Sequence, residues 1–202
     1  MQFIQGDGAA AGDAAMRAMF EARKRVFVDL LGWDLPVLAG RYEVDQFDDN
    51  HARYLILTDS EGQHLASARL LPTERPHLLG DLFAALCDTP PPTGPDIWEI
   101  TRFCLDRRLR AGERRRWRDV LVQGIARYAL DHGISSYVGV AEPAWRDQIL
   151  AFGWDAEPMG PIRTLGGMRL GALRIAIRGE TPALLAANGI QPQFPIDQAW
   201  AA

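Results

Sequence analysis

Apolar residues recur at three- and four-residue steps over residues 13–31, with Met16, Met19, Phe20, Arg23, Phe27 and Leu30 along one stripe. That is the period of an amphipathic helix, with Asp13 as its cap and Gly32 as its stop. Arg23 falls one turn before Phe27, so a cation lies on the packed stripe. After Trp33 the period disappears until Asn50, a connection long enough for a binding loop or lid. Residues 53–58 and 64–71 read as strands joined by the turn Asp59-Ser60-Glu61-Gly62, hence an antiparallel hairpin. In the second strand Leu65, Ser67, Arg69 and Leu71 share one face, and Ala66, Ala68 and Leu70 the other. Residues 78–86 read as a short helix with Leu79, Leu82, Phe83 and Leu86 inward. A Pro-rich connector leads to a strand at 97–103, a basic loop, and a helix at 120–130. A strand at 134–140, a helix at 143–152, a strand at 168–177 and a helix at 181–187 complete the order. The pattern predicts an α/β fold, a mixed twisted sheet flanked by helices, as a single domain over residues 1–202.

Composition narrows the function classes. A chain of 202 residues buries one sizeable core, and its formal net charge of -4 argues against bulk nucleic-acid binding. No nucleic-acid reading motif, glycine-rich dinucleotide fingerprint, Walker A loop or EF-hand is present. Cys87 and Cys104 form no CxxC pair and no HExxH occurs, so neither a disulfide scaffold nor a metal site is expected. Apolar runs are far below membrane-spanning length. The expectation is a soluble cytoplasmic protein without nucleic-acid or membrane partners.

Candidate chemistry centres on Trp98-Glu99-Ile100-Thr101-Arg102-Phe103, where two charges interrupt an apolar strand. Glu99 could hold or deprotonate an amine, and Arg102 could bind an anion. A structural ion pair beside the core explains the same residues. Three residues separate the two charges, so an unbroken strand would point them to opposite faces. Either a bulge rotates one, or each serves a different face. Upstream, Glu43, Asp45, Asp48 and Asp49 stand among Tyr42 and Phe47, suited to a cationic ligand or to a solvated acidic loop. Downstream, Arg107, Arg108, Arg110, Arg114, Arg115 and Arg116 surround Gly112 in a loop feeding a helix. They suit a phosphate, an acidic protein or a solvated face.

The ordered segments Arg23 with Phe27 and Trp33, Glu43-Val44-Asp45-Gln46-Phe47-Asp48, Ser67-Ala68-Arg69-Leu70-Leu71-Pro72-Thr73, Phe83, and Trp98-Glu99-Ile100-Thr101-Arg102-Phe103 resemble successive motifs of the acyl-homoserine lactone synthases, bacterial autoinducer synthases. The resemblance implies an N-acyltransferase-like fold with a V-shaped opening for the acyl-pantetheine arm. It also implies S-adenosylmethionine as a consumed amine substrate, hence no cofactor, and an acyl carrier protein or coenzyme A thioester as donor. Under it, Glu99 is the leading base, with Asp45 or a backbone-held water as competitors, and Arg102 an electrostatic anchor. Arg23, Phe27, Trp33, Glu43, Asp48, Arg69 and Phe103 form the amine-substrate site, Arg69 by supporting its acidic framework through salt bridges. Tyr137, Gly139, Ala141, Trp145 and Ile149 mark the acyl-pocket region, and the arginines from Arg107 to Arg116 dock the carrier. In some members a hydroxyl-bearing residue between Tyr137 and Ala141 accompanies a 3-oxo donor. Gly139 and Ala141 lack one, which lowers that expectation. Cys104 reads as a structural thiol. The competing functions are an N-acetyltransferase for another amine and a catalytically silent carrier-binding or ligand-sensing protein.

Overall fold

The computed structural model describes residues 2–6 and 13–191. In chain order its elements are β1 (Gln2–Gly6), α1 (Asp13–Arg23), β2 (Val37–Leu38), β3 (Tyr42–Glu43), β4 (Arg53–Thr58), β5 (His64–Pro72), α2 (Leu78–Asp81), β6 (Ile97–Leu105), α3 (Ala111–Asp131), β7 (Ser136–Ala141), α4 (Pro143–Leu150), β8 (Asp155–Pro158), β9 (Arg163–Leu165), β10 (Met168–Ala176) and α5 (Thr181–Ala187). The fold is a mixed sheet with flanking helices, as the sequence pattern predicts. Its residues fall into two compact units, one drawn from Met1–Leu70 and Arg102–Gly124, the other from Leu71–Thr101 and Ile125–Gln191.

In the first unit β4 pairs antiparallel with β1 and β5, and Arg53↔Leu70 and Tyr54↔Arg69 fix the hairpin register. Gly62, at φ 76°, closes its turn while Asp59 accepts from the amides of Glu61 and Gln63. Both faces of β5 are buried, which explains its small and apolar composition apart from His64 and Arg69. In the second unit β6 and β7 run parallel from Ile97↔Ser136 to Ile100↔Gly139, and β10 pairs antiparallel with β7, β8 and β9. Leu79, Leu86, Val138, Leu170 and Ala172 form its apolar cluster.

Several local expectations are corrected. The first helix changes to a π-helical turn over Lys24–Val28, with Asp29 bonded to the Lys24 carbonyl and Leu31 to that of Val26. A five-residue repeat rotates the residues beyond it off the stripe, so Phe27 stays buried while Leu30 is 53 % exposed. The connection to Asn50 contains the small β2–β3 hairpin, turned through Ala39 and Gly40, both at positive φ. The helix expected over 78–86 breaks after one turn at Phe83, leaving Leu79 and Leu86 buried and Leu82 exposed. β1, β8 and β9 are additions to the expected order, too short or too polar to carry a period-two signal.

Helix α3 starts at Ala111, so Gly112 and Arg114 through Arg118 lie within it. The basic loop therefore ends at Arg110. Arginine has good helix propensity, and Glu113 accepts from the Arg110 amide at 2.9 Å, half of a capping box.

Candidate functional site

Helix α1 ends in Arg23, β3 ends in Glu43, the turn after β3 carries Asp45 and Asp48, and β5 carries Arg69. These residues and Arg102 converge in the first unit. Arg23 donates from Nε to Glu43 at 2.5 Å and from Nη1 and Nη2 to the two oxygens of Asp48, each at 2.8 Å. Arg69 takes Asp45 bidentately at 2.6 and 3.0 Å, and its Nη1 lies 2.8 Å from Asp48. Arg102 closes the set, with Nη2 at 3.0 Å from Glu43 and 2.7 Å from Asp45. Three guanidinium groups thus neutralise three carboxylates, all with side chains at most 7 % exposed. An ionic network so deep persists only because every partner is present and hydrogen-bonded.

The charges respond to that setting. Burial opposes ionisation of Asp48, but hydrogen bonds and charge from Arg23, the charge of Arg69 and the Asp45 amide outweigh it and hold the carboxyl below its ordinary range. Burial also works against the Arg23 and Arg69 cations, and their carboxylate partners more than compensate. Tyr54 donates to Asp48 at 2.7 Å, and burial with the adjacent Asp48 charge pushes its phenol up. Tyr54 is a network member absent from the expected set, although the hairpin register places it directly opposite Arg69.

Arg102 has φ 50°, a left-handed conformation rare for a side chain with a Cβ. This removes the basis of the parity conflict. The two-residue alternation of β6 is interrupted at Arg102, so the separation of three from Glu99 does not fix their directions as in a regular strand. Arg102 turns to Glu43 and Asp45, with its Cζ 5.7 Å from the Phe27 ring centroid. Phe27 stacks on Trp33 at 5.1 Å and 13°. Phe103 is the next residue, half-buried in the same strand.

In the second unit Glu99 is fully buried and its Oε1 accepts from the Leu79 amide at 3.0 Å. The Leu79 amide is a main-chain partner of Glu99 that side-chain patterns could not reveal. Tyr137 reaches the Ile125 carbonyl of α3 at 3.2 Å. Gly139 and Ala141 share its face by strand alternation. Val138, with half-buried Val140 against it, belongs to the opposite apolar cluster. A Cβ on Gly139 would come within 3.2 Å of the Ile100 carbonyl. Trp145 meets Phe152 edge to face at 5.8 Å, and Ile149 is half-buried on the same helix, its carbonyl accepting from Trp154.

The basic residues divide into two groups. Arg107, Arg108, Arg110 and Arg115 are exposed, Arg108 while held in an ion pair. Arg108 binds both oxygens of Asp106, Arg114 donates to the Asp106 carbonyl, and Arg116 lies over Trp117. Asp106 is itself buried, and its carboxyl is held well below the ordinary range: burial works the other way but is outweighed by the neighbouring His64 and by hydrogen bonds from Arg108. No helix among the described residues is long and apolar enough to cross a membrane.

The family profile described as "Autoinducer synthase" matches residues 9–176. An acyl-homoserine-lactone synthase of Ralstonia nicotianae is 35 % identical over 193 residues, covering 93 % of this chain and 94 % of that protein. Among solved structures, TofI in a ternary complex with an inhibitor and MTA is 29 % identical, with a TM-score of 0.75 and coverage of 95 % and 98 %. The CoA-dependent acyl-homoserine lactone synthase BjaI shares the fold at a TM-score of 0.83, with 24 % identity and coverage of 93 % and 89 %.

Proposed function

The chain belongs to the autoinducer synthase family, and from that premise we propose that it acylates the α-amine of S-adenosylmethionine and lactonises the product. The acyl donor is a thioester of acyl carrier protein or coenzyme A. The observation that carries the residue assignments is the neutral, buried set of three arginines and three carboxylates, closed by Arg102 in a left-handed conformation. The family match spans residues 9–176, through both compact units, which supports one synthase domain. The enzyme works in the cytoplasm, where Cys87 and Cys104 remain thiols.

The residues divide the chemistry between them. Glu99 takes a proton from the substrate ammonium, making the amine a nucleophile. The amine attacks the thioester carbonyl, the carbon–sulfur bond breaks, and the donor leaves as a thiol. Backbone amides of β6 beyond Ile100, its last residue paired with β7, stabilise the oxyanion. In the second step the substrate carboxylate attacks its own γ-carbon, the bond to the sulfonium breaks, and methylthioadenosine departs with that electron pair. Loss of the sulfonium charge and the carboxylate charge together makes positioning the chief requirement.

Asp45 is assigned to the framework instead of proton transfer, because Arg69 and Arg102 occupy its oxygens. Arg23 is framework too, with all three guanidinium nitrogens committed. Arg102 uses Nε and Nη2 within the network, which assigns Nη1 to the substrate carboxylate. Phe27 and Trp33 enclose the amine substrate with an aromatic wall suited to a sulfonium. The acyl tail lies on the Val138 and Val140 face, since Tyr137 on the other face is tied to α3 through the Ile125 carbonyl. Arg107, Arg110 and Arg115 form the carrier-docking set.

The test is incubation of the purified protein with S-adenosylmethionine and a panel of acyl-carrier and coenzyme A thioesters, with mass analysis of products. An acyl-homoserine lactone is expected from at least one donor. Its absence across donors that a known synthase consumes in parallel overturns the assignment.

A further inference from the structure

His77 is buried at the start of α2, and its ring nitrogens are in unlike situations. Nδ1 lies 2.8 Å from the Arg75 carbonyl. A carbonyl only accepts, so Nδ1 carries the proton and a neutral ring presents Nε2 as an acceptor. Nε2 is buried without a hydrogen bond among the described residues. A buried acceptor in that state opposes folding, so Nε2 does nothing to seat the ring, which its Nδ1 bond and its packing must hold.

Gly80 is what accommodates it. A Cβ there would fall 2.6 Å from His77 Cε1 and 2.8 Å from Nε2, closer than real contacts allow. Gly80 does not have positive φ. Its lack of a side chain therefore serves space and not backbone conformation. Between the two residues stands Leu79, whose side chain is sealed in the apolar cluster and whose amide holds Glu99 Oε1 at 3.0 Å. The Asp81 amide returns to the His77 carbonyl at 3.0 Å and closes the turn. The Arg75 carbonyl thus fixes the ring, the ring seats against Gly80, and the turn between them carries the donor that orients Glu99.

We propose that His77 and Gly80 are positioning residues for acyl transfer, acting through the Leu79 amide on the Glu99 carboxylate. The proposal rests on the reading of Glu99 as the proton acceptor. Displacing the turn leaves Glu99 chemically intact but misaims it, and a misplacement of about 1 Å in a catalytic group costs on the order of a hundredfold in rate.

The test compares Gly80→Ala, His77→Leu, His77→Asn and the double variant Gly80→Ala/His77→Asn in steady-state acyl transfer, with urea unfolding of each. Gly80→Ala and His77→Leu are expected to lower kcat roughly ten- to hundredfold with both KM values retained. Asparagine can still donate to the Arg75 carbonyl and is smaller, so adding His77→Asn to Gly80→Ala should recover kcat, a non-additive result that general destabilisation does not give. His77→Leu keeps the reading testable if Gly80→Ala does not fold. Wild-type kcat in Gly80→Ala and in His77→Leu, a loss confined to KM, or a double variant no better than Gly80→Ala overturns the positioning role. If Glu99→Gln itself turns over like wild type, the failure belongs to the Glu99 reading; a defective Glu99→Gln beside wild-type Gly80→Ala and His77→Leu rejects only the role of His77 and Gly80.

Discussion

Arg102 Nη2 lies 2.7 Å from Asp45 Oδ2, and the backbone that carries it there has φ 50°. A non-glycine residue in this region costs about 1–3 kcal/mol, a strain sustained by ion pairs to Asp45 and Glu43. Arg102→Ala leaves those two carboxylates short of a cation. Breaking a buried pair costs about 3–5 kcal/mol, so a loss near the lower end is expected in urea unfolding, with acyl transfer abolished. Arg102→Lys should recover part of the stability but little activity, because an ammonium cannot reproduce the planar fork.

Acid should unfold the protein in two stages. Asp48 has its pKa lowered from 3.8 by its arginine partners against an opposing burial effect. Its stabilisation is present above the unfolded value and is lost as pH falls below about 4 toward the folded value. His64 also has a lowered pKa, here because burial disfavours its cation more than Asp106 favours it. The unfolded chain then binds the proton first, so stability falls as pH drops below about 6.5. His64→Gln should flatten the urea midpoint between roughly pH 6.5 and 5, and Asp48→Asn should flatten it at lower pH from a reduced plateau.

Carrier docking separates from folding. Reversing Arg107, Arg110 and Arg115 together should lower kcat/KM for an acyl-carrier donor roughly tenfold or more at low salt, with the deficit shrinking as salt rises. Urea stability should be retained, because these side chains are exposed. Arg114→Glu should instead destabilise, since its guanidinium donates to the Asp106 carbonyl.

Of the two thiols, Cys87 should react first in the native protein, though slowly, because burial and the Asp88 charge push its thiol up as well. Burial pushes the Cys104 thiol up to about 12, and the residue is fully enclosed with Ala22, Val26 and Phe27. A thiol-reactive dye should label Cys104 only on unfolding. Cys104→Ser should retain turnover, with stability reduced by the buried hydroxyl.

Donor oxidation state offers a sharper test of the acyl face. Val138→Thr puts a hydroxyl on the face of Leu170 and Ala172 with little change of volume. It should shift kcat/KM toward 3-oxo donors by up to roughly tenfold. Ala141→Ser, on the Tyr137 face, should leave the ratio unchanged.

Much of the fold was legible in the sequence because the signals were local. The 53–58 and 64–71 hairpin, the charged strand at 97–103 and the terminal helix at 181–187 all emerge from period and turn residues. The charges of Arg23, Arg69 and Arg102 stood out because each interrupted an apolar pattern. What escaped was set by backbone geometry. The π turn after Arg23 moves Leu30 out of the stripe, φ 50° at Arg102 alters strand parity, and the Leu79 donor is a main-chain amide. Alternation alone does not say which face of β7 a helix covers, and the Tyr137 bond to Ile125 of α3 is information of that tertiary kind.

The most direct test tracks three products in one time course with purified wild-type protein: donor thiol, methylthioadenosine and acyl-homoserine lactone. A synthase that completes both steps should release them in equal amounts, with methylthioadenosine dependent on the acyl donor. Thiol release with an acylated amine but no methylthioadenosine would identify a simple N-acyltransferase and contradict the account.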